Sequence, residues 1–133
     1  MKTYLLDTNI VSHAIRGDIP AVRANLEAVP MHSLFVSVIT EAELLYGLCK
    51  RGNPTKLAVP IEQFLRRVTV LPWHRNAAQS FAEMRSKLER RGKVLDTMDV
   101  LIAAHAKSAG AILVSRDKSF AISGEVPVED WTV

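Results

Sequence analysis

At 133 residues the chain is long enough to bury a core without staples, and its 48% hydrophobic and 23% charged residues make it globular rather than disordered. Its single cysteine, Cys49, excludes an internal disulfide and suits a reducing compartment, and no apolar run approaches the roughly 20 residues needed to cross a bilayer. A net charge of +3 and a pI near 9.2 permit a polyanionic partner without demanding one. The apolar start Tyr4-Leu5-Leu6 is interrupted by Asp7 too soon for a secretory signal, so the expectation is a soluble, cytoplasmic domain spanning residues 1–133 with no membrane segment.

In chain order, Thr3-Tyr4-Leu5-Leu6 is a short apolar run followed at once by turn-forming residues, and reads as a buried strand. Helices are predicted over Asn9–Arg16, ending at Gly17, and over Pro20–Ala28, where Pro stands at the first position. The β-branched run Leu34–Val38 is the second strand. Thr40 opens a helix to Lys50, stopped by Gly52-Asn53-Pro54. A helix over Lys56–Arg67 follows, with Pro60 as a rival start, and leads into the strand Val68–Leu71. A long amphipathic helix, Asn76–Arg91, presents Phe81, Met84 and Leu88 on one face. A very apolar helix, Thr97–Ser108, precedes the strand Ala111–Val114, and Val126–Val128 offers a short edge strand. Uniformly apolar strands separated by helices indicate a parallel sheet covered on both faces. The fold class is α/β, a three-layer α/β/α domain with four to five parallel strands.

In such sheets, sites form outside the carboxyl ends of the strands. Asp7 follows the first strand directly, Glu43 is placed on the first turn after the second, and Asp117 lies just past the fourth. Asp99 sits near the N-terminus of the helix that feeds the fourth strand, and that end faces the same edge. Four acids therefore point at one region. Most also have a local explanation: Thr40-Glu41-Ala42-Glu43 fits a capping box, Asp96 and Asp99 fit a second cap, and Asp117 fits a turn. Asp7, after near-continuous apolar positions, is the hardest to explain as a solvated charge. Crowded carboxylates repel unless a cation joins them. Oxygen ligands without a Cys or His cluster suit Mg²⁺ or Mn²⁺ over zinc, and such ions serve phosphodiester hydrolysis.

Leu5-Leu6-Asp7-Thr8-Asn9-Ile10, Glu43-Leu44-Leu45-Tyr46-Gly47, Asp99-Val100-Leu101-Ile102-Ala103-Ala104-His105-Ala106, Leu113-Val114-Ser115-Arg116-Asp117 and Glu129-Asp130-Trp131 together resemble the VapC ribonuclease toxins of the PIN-domain family. The resemblance spans the chain in the right order. It implies an acidic core of Asp7, Glu43 and Asp99. Asp117 falls where close relatives often carry Asn, Ser115 where Thr is usual, and Asp96 where many have Gly, which leaves Asp96 as an unresolved fifth ligand. Thr8, Asn9 and Ser115 are the residues placed to hold carboxylates and metal waters. The resemblance further implies a Mg²⁺- or Mn²⁺-dependent endoribonuclease cutting RNA, commonly tRNA, with 5′-phosphate and 3′-hydroxyl ends. Its implied partners are a second copy, as a homodimer, and a VapB-like antitoxin that blocks the site with a basic side chain.

Other features have plainer readings. The basic stretch Arg85, Lys87, Arg90, Arg91, Lys93 is interrupted by Glu83 and Glu89 and reads better as a solvated helix face than as an RNA track; Lys50, Arg51 and Lys56 form a second patch. The four histidines share no motif. Leu44, Leu45, Tyr46 and Leu48 are too many apolar residues for one face of a short helix, so burial accounts for some and a partner for the rest. A receiver domain needs an Asp after the third strand, where Pro72-Trp73-His74 stands, and a haloacid-dehalogenase-type phosphatase needs Asp where Asn9 is. The remaining alternative is a non-catalytic RNA-binding or regulatory module on the same fold.

Overall fold

A computed structural model describes residues 1–133. Five strands, β1 (Tyr4–Leu6), β2 (Leu34–Ser37), β3 (Thr69–Leu71), β4 (Ile112–Val114) and β5 (Val128–Glu129), form one sheet in the order β3-β2-β1-β4-β5. Every pairing is parallel, with Leu6 beside Val36 on one side and Val114 on the other. The helices are α1 (Thr8–Arg16), α2 (Pro20–Ala28), α3 (Val38–Lys50), α4 (Thr55–Arg67), α5 (Arg75–Arg90), α6 (Thr97–Ser108) and α7 (Lys118–Ser123). None is long and apolar enough to cross a membrane.

Side chains alternate across a strand, so neighbouring apolar residues fill opposite cores. Leu5 and Leu113 join Met84, Leu88, Ile102 and Phe120 beneath α5, α6 and α7. Leu6, Val36 and Val114 join Ile10, Val22 and Leu44 under the helices of the other face. Each such side chain, fully removed from water, contributes about 1.5–3 kcal/mol. Trp131 closes the second core against Tyr4, ring centroids 5.1 Å apart, while its indole N–H donates to Glu129.

Three expectations need correction. Helix α3 begins at Val38 and is capped by Ser37, whose Oγ accepts from the Ile39 N–H at 3.0 Å. The strand thus runs into the helix with no loop, Glu43 stands on the second turn, and the capping box disappears. Pro60 lies inside α4, which starts at Thr55 after Pro54. The missing N–H falls early in a surface helix with no fully buried residue, where the orphaned carbonyl of exposed Lys56 meets water. The edge strand lies at Val128–Glu129 rather than Val126–Val128, and α7 precedes it.

Candidate active site

The strand order reverses direction between β1 and β4, which makes their carboxyl ends a topological switch point. Asp7 and Asp117 stand there. Asp7 caps α1, its carboxylate accepting from the Ile10 N–H at 2.9 Å, and its own N–H bonds Val114 across to β4. Asp117 caps α7, accepting from the Ser119 N–H at 2.9 Å. Both caps hold their carboxylates at fixed places, so capping here serves the site. Asp99, from the first turn of α6, joins them in lining a cavity of about 130 Å³, together with Asn9, Ser115 and Arg116. Asp96 caps α6 through the Asp99 N–H at 3.3 Å and does not line that cavity.

Glu43 approaches from α3 and is turned toward α1. Thr8 Oγ1 lies 2.5 Å from its carboxylate and 3.0 Å from the Thr40 hydroxyl. A carboxylate only accepts, so the Thr8 proton goes to Glu43 and fully buried Thr40 donates to Thr8. The Ser115 hydroxyl accepts from the Asp117 N–H at 3.0 Å. Thr8 thus contacts one of the four acids through its side chain, and Ser115 contacts the backbone of another. Asn9 lines the cavity but makes no side-chain hydrogen bond within the chain.

The electrostatics follow from crowding. Burial pushes the Asp7 carboxyl up from its ordinary value; the Ile10 N–H and Ser115 hydroxyl oppose this, and Asp117 and Glu43 add to it. Asp99 rises to about 6, first through desolvation, then through Asp96, Asp7, Glu43 and Asp117. Arg116 lines the same cavity, yet no lysine or arginine forms an ion pair with any of these acids. No three of the side chains converge closely enough to enclose an ion unaided. The cluster is thus a set of oxygen donors with no cation of the chain paired to it.

A raised carboxyl pKa has a measurable consequence in chelator-treated protein. Asp99 titrates near 6 when folded against 3.8 for an ordinary Asp, so its share of stability is complete below 3.8 and is lost as pH rises through about 6. The melting temperature of Asp99→Asn is expected to gain on wild type across that interval and to hold a constant lead above it. Parallel profiles would remove the repulsive cluster.

The PIN domain model matches residues 4–124. Ribonuclease VapC2 of Haemophilus influenzae is 36% identical, with 98% of this chain and 99% of the relative covered. The chain belongs to the VapC ribonucleases of the PIN-domain family. The tRNA(fMet)-specific endonuclease VapC of Shigella flexneri is 32% identical over 99% of this chain and all of the relative. Among solved structures, the DNA-bound VapBC of Salmonella typhimurium superposes with a TM-score of 0.89 at 30% identity, covering 98% of this chain and 99% of that one. RNA cleavage is therefore the family's chemistry, and the α/β fold expected from the sequence is the family's fold.

The remaining charged and apolar features separate clearly. Lys87 and Arg91 reach Glu125 on the far side of α7, with Lys107 completing the group, and Arg85 pairs with Glu89. Most of the basic stretch is thus committed to internal contacts. Glu125, which the sequence did not single out, is nearly buried among those three cations. On α3, Leu44 and Leu48 are buried, while Leu45 and Tyr46 are exposed. His105 is buried, and none of the four histidines lines the acid cavity. A cavity of about 510 Å³ between α1, α2 and α4 contains none of the four acids.

Proposed function

We propose that the chain is a metal-dependent endoribonuclease and the toxin of a toxin–antitoxin pair, with Asp7, Glu43, Asp99 and Asp117 as its catalytic acids. The observation that carries this reading is the unpaired acidic cluster at the sheet's switch point, where burial first, and neighbouring acids next, push the Asp7 and Asp99 carboxyls up. In this reading Asp7 and Asp99 would hold Mg²⁺ or Mn²⁺, with Asp117 in the same cavity and Glu43 on the α1 side as further candidate ligands. Bound there, a divalent ion supplies the positive charge that lowers the pKa of water and favours phosphate oxygens. The chain's own part is to fix donors on capped helix ends, with Thr8 holding Glu43 and Ser115 bracing the β4 side.

Kinship with the Shigella tRNA endonuclease makes tRNA the first substrate to try. The solved VapBC and FitAB complexes support a VapB-like antitoxin as partner; a homodimer rests on the family resemblance alone. An antitoxin Arg would pair with the carboxylates and leave no room for metal. The deciding experiment is RNA cleavage by the purified chain in Mn²⁺ against Asp7→Asn. Cleavage by wild type alone supports the enzyme; RNA binding without cleavage in either would favour a non-catalytic module.

A further inference from the structure

A second cavity, of about 200 Å³, lies between α1, α3 and α4 and adjoins the acid site, since Glu43 and its partner Thr8 line it. Its apolar wall includes Leu44, Leu57 and Ile61, and Arg51 is its cation. Pockets that enclose a whole drug-sized ligand run from about 300 Å³ upward, so this one suits a single base.

Two features here are not required by the chain's own packing. Gly47 stands inside a thirteen-residue helix at ordinary negative φ, where glycine is a poor helix former. A Cβ added to it would meet only the Arg51 guanidinium, at 3.7 Å, which is ordinary contact. Alanine would fit and would strengthen the helix, so the bare backbone answers to something outside the chain. The Arg51 guanidinium forms no ion pair, and its one hydrogen bond is to the Gly47 carbonyl, at 3.5 Å, although its charge is permanent. Lys50 and Lys56, neighbours in sequence, are also without carboxylate partners.

We propose that this cavity is a nucleoside subsite beside the scissile phosphate. It takes one unpaired nucleoside of the RNA, the base against Leu44, Leu57 and Ile61, the adjoining phosphate on Arg51, and the close approach made at Gly47. This assignment rests on the ribonuclease reading and deepens it. Single-stranded RNA offers splayed bases whose faces pack on apolar surfaces, with phosphates that pair with arginine. The two cavities share no lining residue, but Thr8 and Glu43 in this one stand directly beside Asp7, so the groove borders the place where the scissile phosphate must sit.

The test measures single-stranded RNA oligonucleotide binding by full-length Asp7→Asn carrying Arg51→Ala, Gly47→Leu or Gly47→Ala, with melting curves for each. Arg51→Ala is expected to weaken binding by about tenfold and to flatten the salt dependence by about 0.7 in log–log slope, the signature of one lost single-strand phosphate contact. Gly47→Leu, which fills the cavity, should weaken binding at least as much with the slope unchanged. Gly47→Ala should raise the melting temperature and disturb binding less. Variants that melt like wild type and keep its affinity and salt slope overturn the subsite, and leave the groove to a protein partner. Failure of the active wild type to cleave RNA in Mn²⁺ sinks the ribonuclease reading instead, so the two failures are distinguishable.

Discussion

Asp7→Asn should lower RNA cleavage by about two orders of magnitude or more, and the cut ends left by the wild type should be a 5′-phosphate and a free 3′-hydroxyl. Asp7 is the most thoroughly positioned of the four acids, fixed at once by β1, by the Val114 carbonyl and by the first turn of α1. The amide keeps the hydrogen bond to Ile10 and most of the shape, so the loss reports charge rather than folding. The end groups decide between two ways of cutting RNA. Imidazole catalysis uses the RNA's own 2′-hydroxyl and leaves a cyclic phosphate. This chain has no imidazole where that would require one: His105 is buried, His13 is tied to Asp18 at 3.0 Å, and no histidine lines the acid cavity. Attack by water needs no 2′-hydroxyl. A substrate with one 2′-deoxy nucleotide at the cut should therefore be cleaved normally, and chelator should abolish cleavage. A cyclic phosphate, or cleavage that survives chelation but dies with the 2′-hydroxyl, would overturn the mechanism while leaving the fold untouched.

Legibility in the sequence followed the range of the interactions involved. Strands such as Tyr4–Leu6 and Ile112–Val114 were readable because continuous apolar runs bounded by turn residues signal burial on both faces. The acids after them were readable for the same reason, since strand ends in a parallel sheet share one edge. Glu43 was misplaced by a turn because Ser37 is both the last residue of β2 and the cap of α3, and local spacing favoured Thr40. Six-residue α7 is too short to show a helical period, so only Asp117 and Gly124 mark its ends. Contacts across the chain left no local trace. Glu125 looks like any surface acid until α5 and α6 bring three cations to it, and Thr8, expected to hold a carboxylate, carries nothing to say that the carboxylate is Glu43, 35 positions away.

His105 belongs to that long-range class, and its removal should cost stability while sparing the chemistry. Its Nε2 lies 3.2 Å from the Pro72 carbonyl, which can only accept, so Nε2 carries the proton and Nδ1 accepts from the Ser37 hydroxyl at 2.7 Å. Ser37 in turn accepts from Ile39, and the Trp73 ring packs edge-on at 5.1 Å. One imidazole thereby joins α6 to the start of α3 and the end of β3. His105→Ala leaves a buried hydroxyl and a carbonyl short of partners beside a small void, a loss of about 3 kcal/mol, or roughly 10 °C in melting temperature for a chain of this size. The pH dependence has a definite sign. Burial lowers the His105 pKa below its ordinary 6.5, so the neutral form's stabilisation is complete above 6.5 and is lost as pH falls through the folded value. The deficit of His105→Ala against wild type should therefore be widest at neutral pH and narrow in acid. Because His105 is absent from the acid cavity, cleavage measured where the variant is still folded should stay within about tenfold of wild type, far from the Asp7→Asn loss. An unchanged melting temperature would refute the clamp, and a loss of cleavage in folded His105→Ala as deep as that of Asp7→Asn would return the imidazole to the mechanism.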